Sequence, residues 1–291
     1  MSTSSVVITD VVLRDGLQDE DVIVATADKV AIAESLMAAG VTNIEAVSFV
    51  SPLRVPQMAD ADELMQALSE RRNDRVRFSV LALNGKGVER AAASGADLIE
   101  IAASASPSHS RANAGKTSER ALADLADALV EWPERTFIGA VSTAFVCPFD
   151  GVISSARLVE VVKSLAAMGV ERIGLADTLG TATTDHVLRS VDAVRDAVPE
   201  VELGLHLHNA DGQALQTALA AATELEIVHF DSAIGGYGGC PFAPGAHGNV
   251  ATEELVAHFH SNGIDTGIDE RALAVAVRTV QSTIARSPAH T

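Results

Sequence analysis

The feature that most constrains the fold is an alternation of short apolar runs with amphipathic stretches, repeated eight times along the chain. The apolar runs are nearly continuous, which is typical of parallel strands buried on both faces. Each run is followed by a stretch with helical spacing of its apolar residues. Alternating strands and helices predict an α/β protein with a parallel sheet. The predicted strands cover residues 6–13, 44–50, 76–83, 98–103, 136–145, 173–176, 203–209 and 227–234.

Eight such units within roughly 260 residues fit a closed (β/α)₈ TIM barrel better than an open doubly wound sheet. No linker or low-complexity segment divides the 291 residues, so we predict a single domain over residues 1–291. The barrel is expected at about 6–262, with an additional C-terminal helix at about 268–286. The predicted helices cover residues 27–39, 60–71, 86–93, 118–131, 154–168, 184–197, 212–224, 252–260 and 269–285.

Charge and cysteine content limit the function classes. The net charge of −18 argues against nucleic acid or an anionic membrane as the main partner. Two cysteines are too few for a disulfide framework and indicate a reducing compartment. No apolar run reaches the roughly 18 residues of a membrane span, and the basic start of a signal peptide is missing. We therefore expect a cytoplasmic protein without membrane partners.

A pair of histidines marks the seventh predicted strand. His206 and His208 are two residues apart, so their side chains share one face of the strand and can reach one metal ion. The alternative is two buried histidines, each satisfied by a backbone partner. His258 and His260 repeat the spacing in a predicted helix, where such residues point in different directions. Only the first pair is therefore a candidate metal site.

Other polar residues follow the predicted strands at the end where active sites lie in barrels of this type. Arg14 and Asp15 end the first strand, and Asp177 ends the sixth. Glu45 lies inside the second strand, where an unpaired carboxylate is costly, so it needs a partner such as Arg14. Each has a structural alternative, since Asp15 and Asp177 can cap turns or helices and Arg14–Glu45 can be a structural ion pair. Their convergence on one end favours an active site.

The donor set indicates the type of metal. Two imidazoles with carboxylate or amide oxygens suit Mg²⁺, Mn²⁺, Co²⁺ or Zn²⁺. Without a cysteine-rich set, a closed structural zinc site is disfavoured. We expect a site with an open coordination position for substrate.

A glycine-rich loop over residues 235–249 follows the eighth strand. Its glycines allow backbone to approach a ligand, and Pro241 and Pro244 stiffen its middle. Cys240 lies within this loop, near the predicted barrel mouth, and is a candidate acid or base. The alternative is a tolerated surface loop. Cys147, at the end of the fifth strand, is better interpreted as a small buried apolar residue.

Five motifs resemble the 3-hydroxy-3-methylglutaryl-CoA lyase family, and the likeness extends from about residue 6 to about 260. They are RDGLQ at 14–18, EAVSFVSP at 45–52, VPQMAD at 55–60, HxH at 206–208, and GGCP…PGAxGNVATE at 238–253. The cysteine loop is the most specific of them. Isopropylmalate and homocitrate synthases share the Arg-Asp and HxH elements but not this loop.

The resemblance implies retro-Claisen cleavage of an acyl-CoA to acetyl-CoA and a keto acid. It implies a divalent ion, Mg²⁺ or Mn²⁺, at Asp15, His206, His208 and Asn249, with an acyl-CoA substrate and a homodimer. Arg14 would stabilise the enolate oxygen, and Cys240 would protonate the enolate. Either Asp15 or His206 would be the base. Supporting roles would fall to Glu45 and Asp177, and substrate contacts to Arg14, Gln18, Ser48, Ser142 and Thr178.

Several positions differ from the family pattern. Among them are Asp21, Leu53, Arg54, Asn209 and His247, so the substituent on the substrate's C3 carbon need not be methyl. The leading hypothesis is cleavage of 3-hydroxy-3-methylglutaryl-CoA to acetyl-CoA and acetoacetate. The alternatives are a lyase for a related 3-hydroxyacyl-CoA, a Claisen-condensing synthase, and a barrel that binds metal or CoA without turnover.

Overall fold

Eight parallel strands form the centre of the molecule in the computed structural model, which describes residues 5–210, 212–239 and 243–289. They are β1 Val7–Asp10, β2 Asn43–Ser48, β3 Arg77–Ala82, β4 Leu98–Ser104, β5 Phe137–Ser142, β6 Arg172–Asp177, β7 Glu202–Leu207 and β8 His229–Ser232. Their order is β1-β8-β7-β6-β5-β4-β3-β2, and β1 pairs in parallel with β2 to close the barrel. The predicted (β/α)₈ barrel is confirmed.

Helices cover the outside of the barrel. Several begin at side chains that accept a backbone N–H of the first turn, among them Asn84, Thr117, Ser154, Thr183 and Asp269. The helices are α1 Thr26–Ala38, α2 Ala61–Ser69, α3 Gly85–Ala93, α4 Pro107–Ala114, α5 Ser118–Leu129, α6 Ser155–Ala166, α7 Thr184–Ala197, α8 Ala214–Glu224, α9 Thr252–Ser261 and α10 Glu270–Arg286.

The core lies between the sheet and the helices and is aliphatic. Outward-facing strand residues such as Val80, Val141 and Leu175 are fully buried beneath the helices. The predicted C-terminal helix is present as α10 and packs against α1. At its start, the Asp269 N–H donates to Ala39 O at 2.8 Å. Helix α10 therefore packs the C-terminal part of the described chain against α1, the helix that follows the first strand.

Three local predictions were wrong. The first strand, predicted to reach residue 13, ends at Asp10 and is followed by a π-helical turn at Val12–Gly16. The segment after β4, where no helix was predicted, forms α4, because Ser106 caps it, Pro107 occupies its first turn and Gly115 ends it at φ +69°. The fifth strand was predicted to continue to residue 145, but it ends at Ser142. A short antiparallel hairpin of Val146–Cys147 with Gly151–Val152 follows. Cys147 is buried, as expected.

None of the helices in the described part of the chain is both long and apolar enough to cross a bilayer. The cytoplasmic location and the homodimer stay predictions.

Candidate active site

A single π-helical turn, Val12–Gly16, follows β1 and presents Arg14 and Asp15. The N–H groups of Arg14, Asp15 and Gly16 all donate to Val11 O, at 3.1, 2.8 and 3.2 Å. Gly16 is required here, because a Cβ would lie 2.8 Å from Val12 Cγ2. The turn places both charged side chains in the lining of a cavity at the barrel centre.

Arg14 is held by two carboxylates. Its Nε donates to Glu45 Oε2 at 2.7 Å, so the predicted pair is present, and its Nη1 donates to Asp15 Oδ1. Burial by itself would lower the pKa of Arg14, but the charges of Glu45 and Asp15 raise it. Burial also raises the pKa of Glu45, although Arg14 opposes this shift. Arg14 is therefore a fixed positive charge facing the cavity.

His206 and His208 point their Nε2 atoms at each other across 3.2 Å. Each ring is held by its other nitrogen, since His208 Nδ1 donates to His247 O at 2.6 Å and His206 Nδ1 contacts Asp231 Oδ2 at 3.3 Å. These bonds leave the Nε2 lone pairs facing one shared point, the arrangement usual for metal-binding histidines. The two nitrogens can share either a proton or a metal ion.

The charges around the two rings differ. Burial, with a smaller contribution from His206, lowers the pKa of His208 to about 4, so this ring is neutral. Burial would also lower the pKa of His206, but the hydrogen bond to Asp231 and the charge of Asp15 raise it. For Asp15, burial alone would raise the pKa, but Arg14 and the two histidines lower it. Asp15 is therefore an ionised carboxylate beside two imidazoles.

Asp15, His206 and His208 offer ligand atoms that lie within 4.8 Å of one another. Asp15 Oδ2 is 3.9 Å from His206 Nε2 and 4.0 Å from His208 Nε2. Asn249 joins them, because its Nδ2 donates to Asp15 Oδ2 at 2.7 Å. Asn249 Oδ1 is buried and has no hydrogen-bond partner among the residues that the structure describes. This orphaned oxygen, with one carboxylate and two imidazoles, fits a divalent ion.

Asn249 reaches the site because the loop after β8 is attached to the end of β7. The Asn209 N–H donates to Gly248 O at 3.0 Å, and the Val250 N–H donates to Leu207 O at 2.9 Å. Cys240, proposed from the sequence as an acid or base, lies outside the described residues. Its chain neighbour Gly239 lines the cavity.

The proposed substrate-binding residues are mostly brought together. Gln18, Ser142 and Thr178 line the cavity with Arg14. Ser48 is fully buried, and its hydroxyl donates to Gln18 Oε1 at 2.8 Å. Ser48 therefore orients Gln18 and does not itself line the cavity.

Asp177 is on the side of its strand that faces away from the cavity. It shares the outward face of β6 with the buried Ile173 and Leu175, whereas Gly174 and Ala176 on the other face line the cavity. Its Oδ2 accepts the Ala182 N–H at 3.0 Å, and burial raises its pKa to about 6. This geometry matches the capping alternative, so we assign Asp177 to the turn before α7.

Sequence reasoning missed two cavity carboxylates, Glu100 on β4 and Asp231 on β8. Burial raises the pKa of Glu100 to about 7, with a further contribution from the charge of Asp231. Asp231 contacts His206 Nδ1 and so orients the ring, as the hydrogen-bond partner of a metal-binding histidine would. An acidic residue within an otherwise apolar strand was the available signal at both positions.

The cavity that joins these residues has a volume of about 410 Å³ and reaches from the barrel interior to Lys116 and Asp124 at the mouth. A larger groove of about 770 Å³ lies between α5 and α6, away from every proposed site residue. Chemistry, not size, identifies the smaller cavity as the candidate active site.

Comparison with known proteins gives consistent results. A family model described as HMGL-like matches residues 5–280. The chain is 40% identical to the (R)-citramalyl-CoA lyase of Chloroflexus aurantiacus, over 97% of this chain and 92% of that protein. It is 38% identical to the mitochondrial hydroxymethylglutaryl-CoA lyase of Mus musculus, over 92% of this chain and 82% of that one.

The fold agrees with that of a solved relative. An HMG-CoA lyase from Acinetobacter baumannii, in complex with coenzyme A and 3-methylmalate, superimposes with a TM-score of 0.92. The two sequences are 37% identical, and the match covers 97% of this chain and 92% of the other.

Proposed function

The chain belongs to the HMGL-like family and is a lyase, and from this premise we propose that it carries out divalent-metal-dependent retro-Claisen cleavage of a 3-hydroxyacyl-CoA. The products would be acetyl-CoA and an oxo acid. The observation that carries the proposal is the convergence of Arg14, Asp15, His206, His208 and Asn249 on one cavity.

Two substrates are candidates. The leading one is 3-hydroxy-3-methylglutaryl-CoA, which would give acetoacetate. The second is citramalyl-CoA, which would give pyruvate, and it is favoured by the 40% identity to a citramalyl-CoA lyase. Both present a tertiary alcohol two carbons from the thioester carbonyl, so the same bond is broken in each.

The donor set implies a divalent ion, Mg²⁺ or Mn²⁺, held by Asp15, His206, His208 and Asn249. Such an ion would supply Lewis-acid polarisation of the substrate oxygens. Asp15 and His206 are the candidate acceptors of the hydroxyl proton, because both lie beside the point that the ligand atoms share.

Arg14 is the group suited to the negative charge that develops on the thioester oxygen when the C–C bond breaks. Its guanidinium is fixed by Glu45 and Asp15, so it need not reorganise during the reaction. Ser142, Thr178 and Gln18 provide polar atoms on the cavity wall for orienting the acyl group.

The test is an acetyl-CoA release assay on the purified protein with each candidate substrate and Mg²⁺, in the presence and absence of a chelator. We expect cleavage that the chelator abolishes and that added Mg²⁺ or Mn²⁺ restores. Cleavage that persists after complete metal removal would contradict the metal-dependent mechanism. If a folded, metal-loaded protein releases no acetyl-CoA from either substrate, the lyase assignment for these acyl groups is contradicted.

Cys240 is proposed as the proton donor to the acetyl-CoA enolate. We expect Cys240→Ser to bind metal and substrate but to turn over about 10²–10⁴-fold more slowly, the usual contribution of a positioned acid. The matched control is Cys147→Ser, because Cys147 is a buried thiol that bonds Ser106 at 2.9 Å and does not line the cavity. Turnover at the wild-type rate by Cys240→Ser would remove the thiol from the mechanism.

A further inference from the structure

Part of the cavity is built from unusually small residues. Four of its wall positions, on three adjacent strands, are alanine or glycine, and two neighbouring positions are acidic. We refer to this part as the mid-barrel recess; it is lined by Glu100, Ala102, Ala140, Gly174, Ala176 and Asp231.

The recess adjoins the proposed metal ligands. The strand register puts Ala176 and Asp231 on either side of His206, and Ala102 beside Ala140. A group bound at His206 therefore faces the recess directly.

The small residues leave space that a barrel normally fills. Barrel interiors are usually packed with layers of bulky branched side chains. A Cβ added at Gly174 would meet only Gly139 O, at 3.9 Å, which is an ordinary contact. An unfilled interior costs stability through lost contacts. The open wall is therefore better explained by a ligand group than by packing.

The recess is rich in hydrogen-bond acceptors and poor in donors. No hydrogen bond to the Glu100 carboxylate comes from the described residues. Glu45 does not line the cavity; burial raises its pKa, with smaller contributions from the charges of Glu100 and Asp231. The Arg14 guanidinium already donates hydrogen bonds to Glu45 and Asp15.

The Glu100 carboxylate lines the cavity without a donor from the described residues, so a ligand group that displaces water from it is favoured when it brings a donor of its own. A methyl group supplies no donor and fills little of the space. We propose that the mid-barrel recess binds the C3 substituent of the substrate; this proposal rests on the proposed lyase function. The preferred substituent is larger than methyl and carries a hydrogen-bond donor that Glu100 accepts.

The donor can be a hydroxyl or an ammonium group, and substrate analogues distinguish them. A matched set is 3-hydroxyglutaryl-CoA carrying methyl, ethyl, hydroxymethyl or aminomethyl at C3. Ethyl and hydroxymethyl have the same number of heavy atoms, so their comparison isolates the donor. Cleavage of each member breaks the C2–C3 bond; the base takes the hydroxyl proton, the acid protonates C2 of the acetyl-CoA enolate, and the substituent stays on the oxo acid.

The measurement is kcat/KM for acetyl-CoA release from each of the four compounds. At a pH above the raised pKa of Glu100, where its carboxylate is ionised, we expect hydroxymethyl or aminomethyl to exceed ethyl by about tenfold or more for the wild type, the value of one hydrogen bond to a charged acceptor. Whichever of the two is higher identifies the donor. If the hydroxymethyl and aminomethyl compounds both have a kcat/KM equal to or lower than that of the ethyl compound, the proposal is overturned.

Two variants separate polarity from size. Glu100→Met should lower the hydroxymethyl-to-ethyl ratio about tenfold or more, because the acceptor is lost at similar volume. Ala140→Leu should raise the methyl-to-ethyl ratio, because it fills the recess. Glu131→Gln, at an exposed position outside the cavity, is the control and should leave both ratios unchanged.

The outcomes also separate this proposal from the proposed function. Cleavage of methyl and ethyl compounds without preference for a donor would overturn the recess assignment and leave the lyase function standing. Unchanged ratios in both Glu100→Met and Ala140→Leu would do the same. Absence of cleavage of all four compounds by metal-loaded protein would overturn both.

Discussion

His206→Ala is expected to lose divalent-ion binding and acetyl-CoA release together. His206 Nε2 lies 3.2 Å from His208 Nε2 and 3.9 Å from Asp15 Oδ2, so its removal opens one side of the proposed ligand set. Loss of an outer partner of a metal ligand already costs about 10–100-fold in affinity. Loss of the ligand should cost more than about 100-fold, as measured by metal content after dialysis and by titration with Mn²⁺.

The matched control is His258→Ala. His258 belongs to a second His-x-His pair, but that pair lies in α9, where the two side chains diverge. We expect this variant to keep both metal and activity. Equal metal content in the His206→Ala and His258→Ala proteins would disprove the ligand assignment.

Arg14→Met is expected to have the second large effect, on both rate and stability. The change leaves Glu45 and Asp15 buried without their counter-charge, which costs about 3–5 kcal/mol of unfolding free energy. It also removes the proposed partner of the enolate oxygen, which should lower kcat about 10²–10³-fold. Denaturant unfolding and steady-state kinetics measure the two losses separately.

Two further variants distinguish catalysis from stability. Arg172→Met removes another barrel Arg, which contacts His229 at 3.1 Å outside the active-site cavity, and should spare kcat. Adding Glu45→Gln to Arg14→Met removes one uncompensated carboxylate and should restore part of the stability without restoring kcat. A double variant that regains wild-type kcat would show that Arg14 acts only as a structural ion-pair partner.

Much of the fold could be predicted because strand and helix periods are local properties of the sequence. The errors arose where local signals competed. Helix α4 has a capping Ser106, Pro107 in its first turn and Gly115 after it, but no helix was predicted there because the segment lacks apolar residues at helical spacing. The π-helical turn that presents Arg14 could not be predicted, because it depends on three N–H groups sharing Val11 O.

Part of the site could also be predicted from the sequence. His206 and His208 share a face because a strand has a period of two, which needs no tertiary information. The family resemblance supplied Asn249, which follows His208 by 41 positions. Its position beside Asp15 depends on the attachment of its loop to the end of β7.

The sequence by itself determined the alternation of elements, the barrel class and the histidine pair, because these follow from spacing along the chain. Only the tertiary structure decided which strand carboxylates face the cavity. Asp177 and Glu100 both belong to strands, yet Asp177 turns outward to cap a loop and Glu100 turns inward. The reason is that strand register and barrel closure choose the inner face, and a shift of one residue exchanges the two faces.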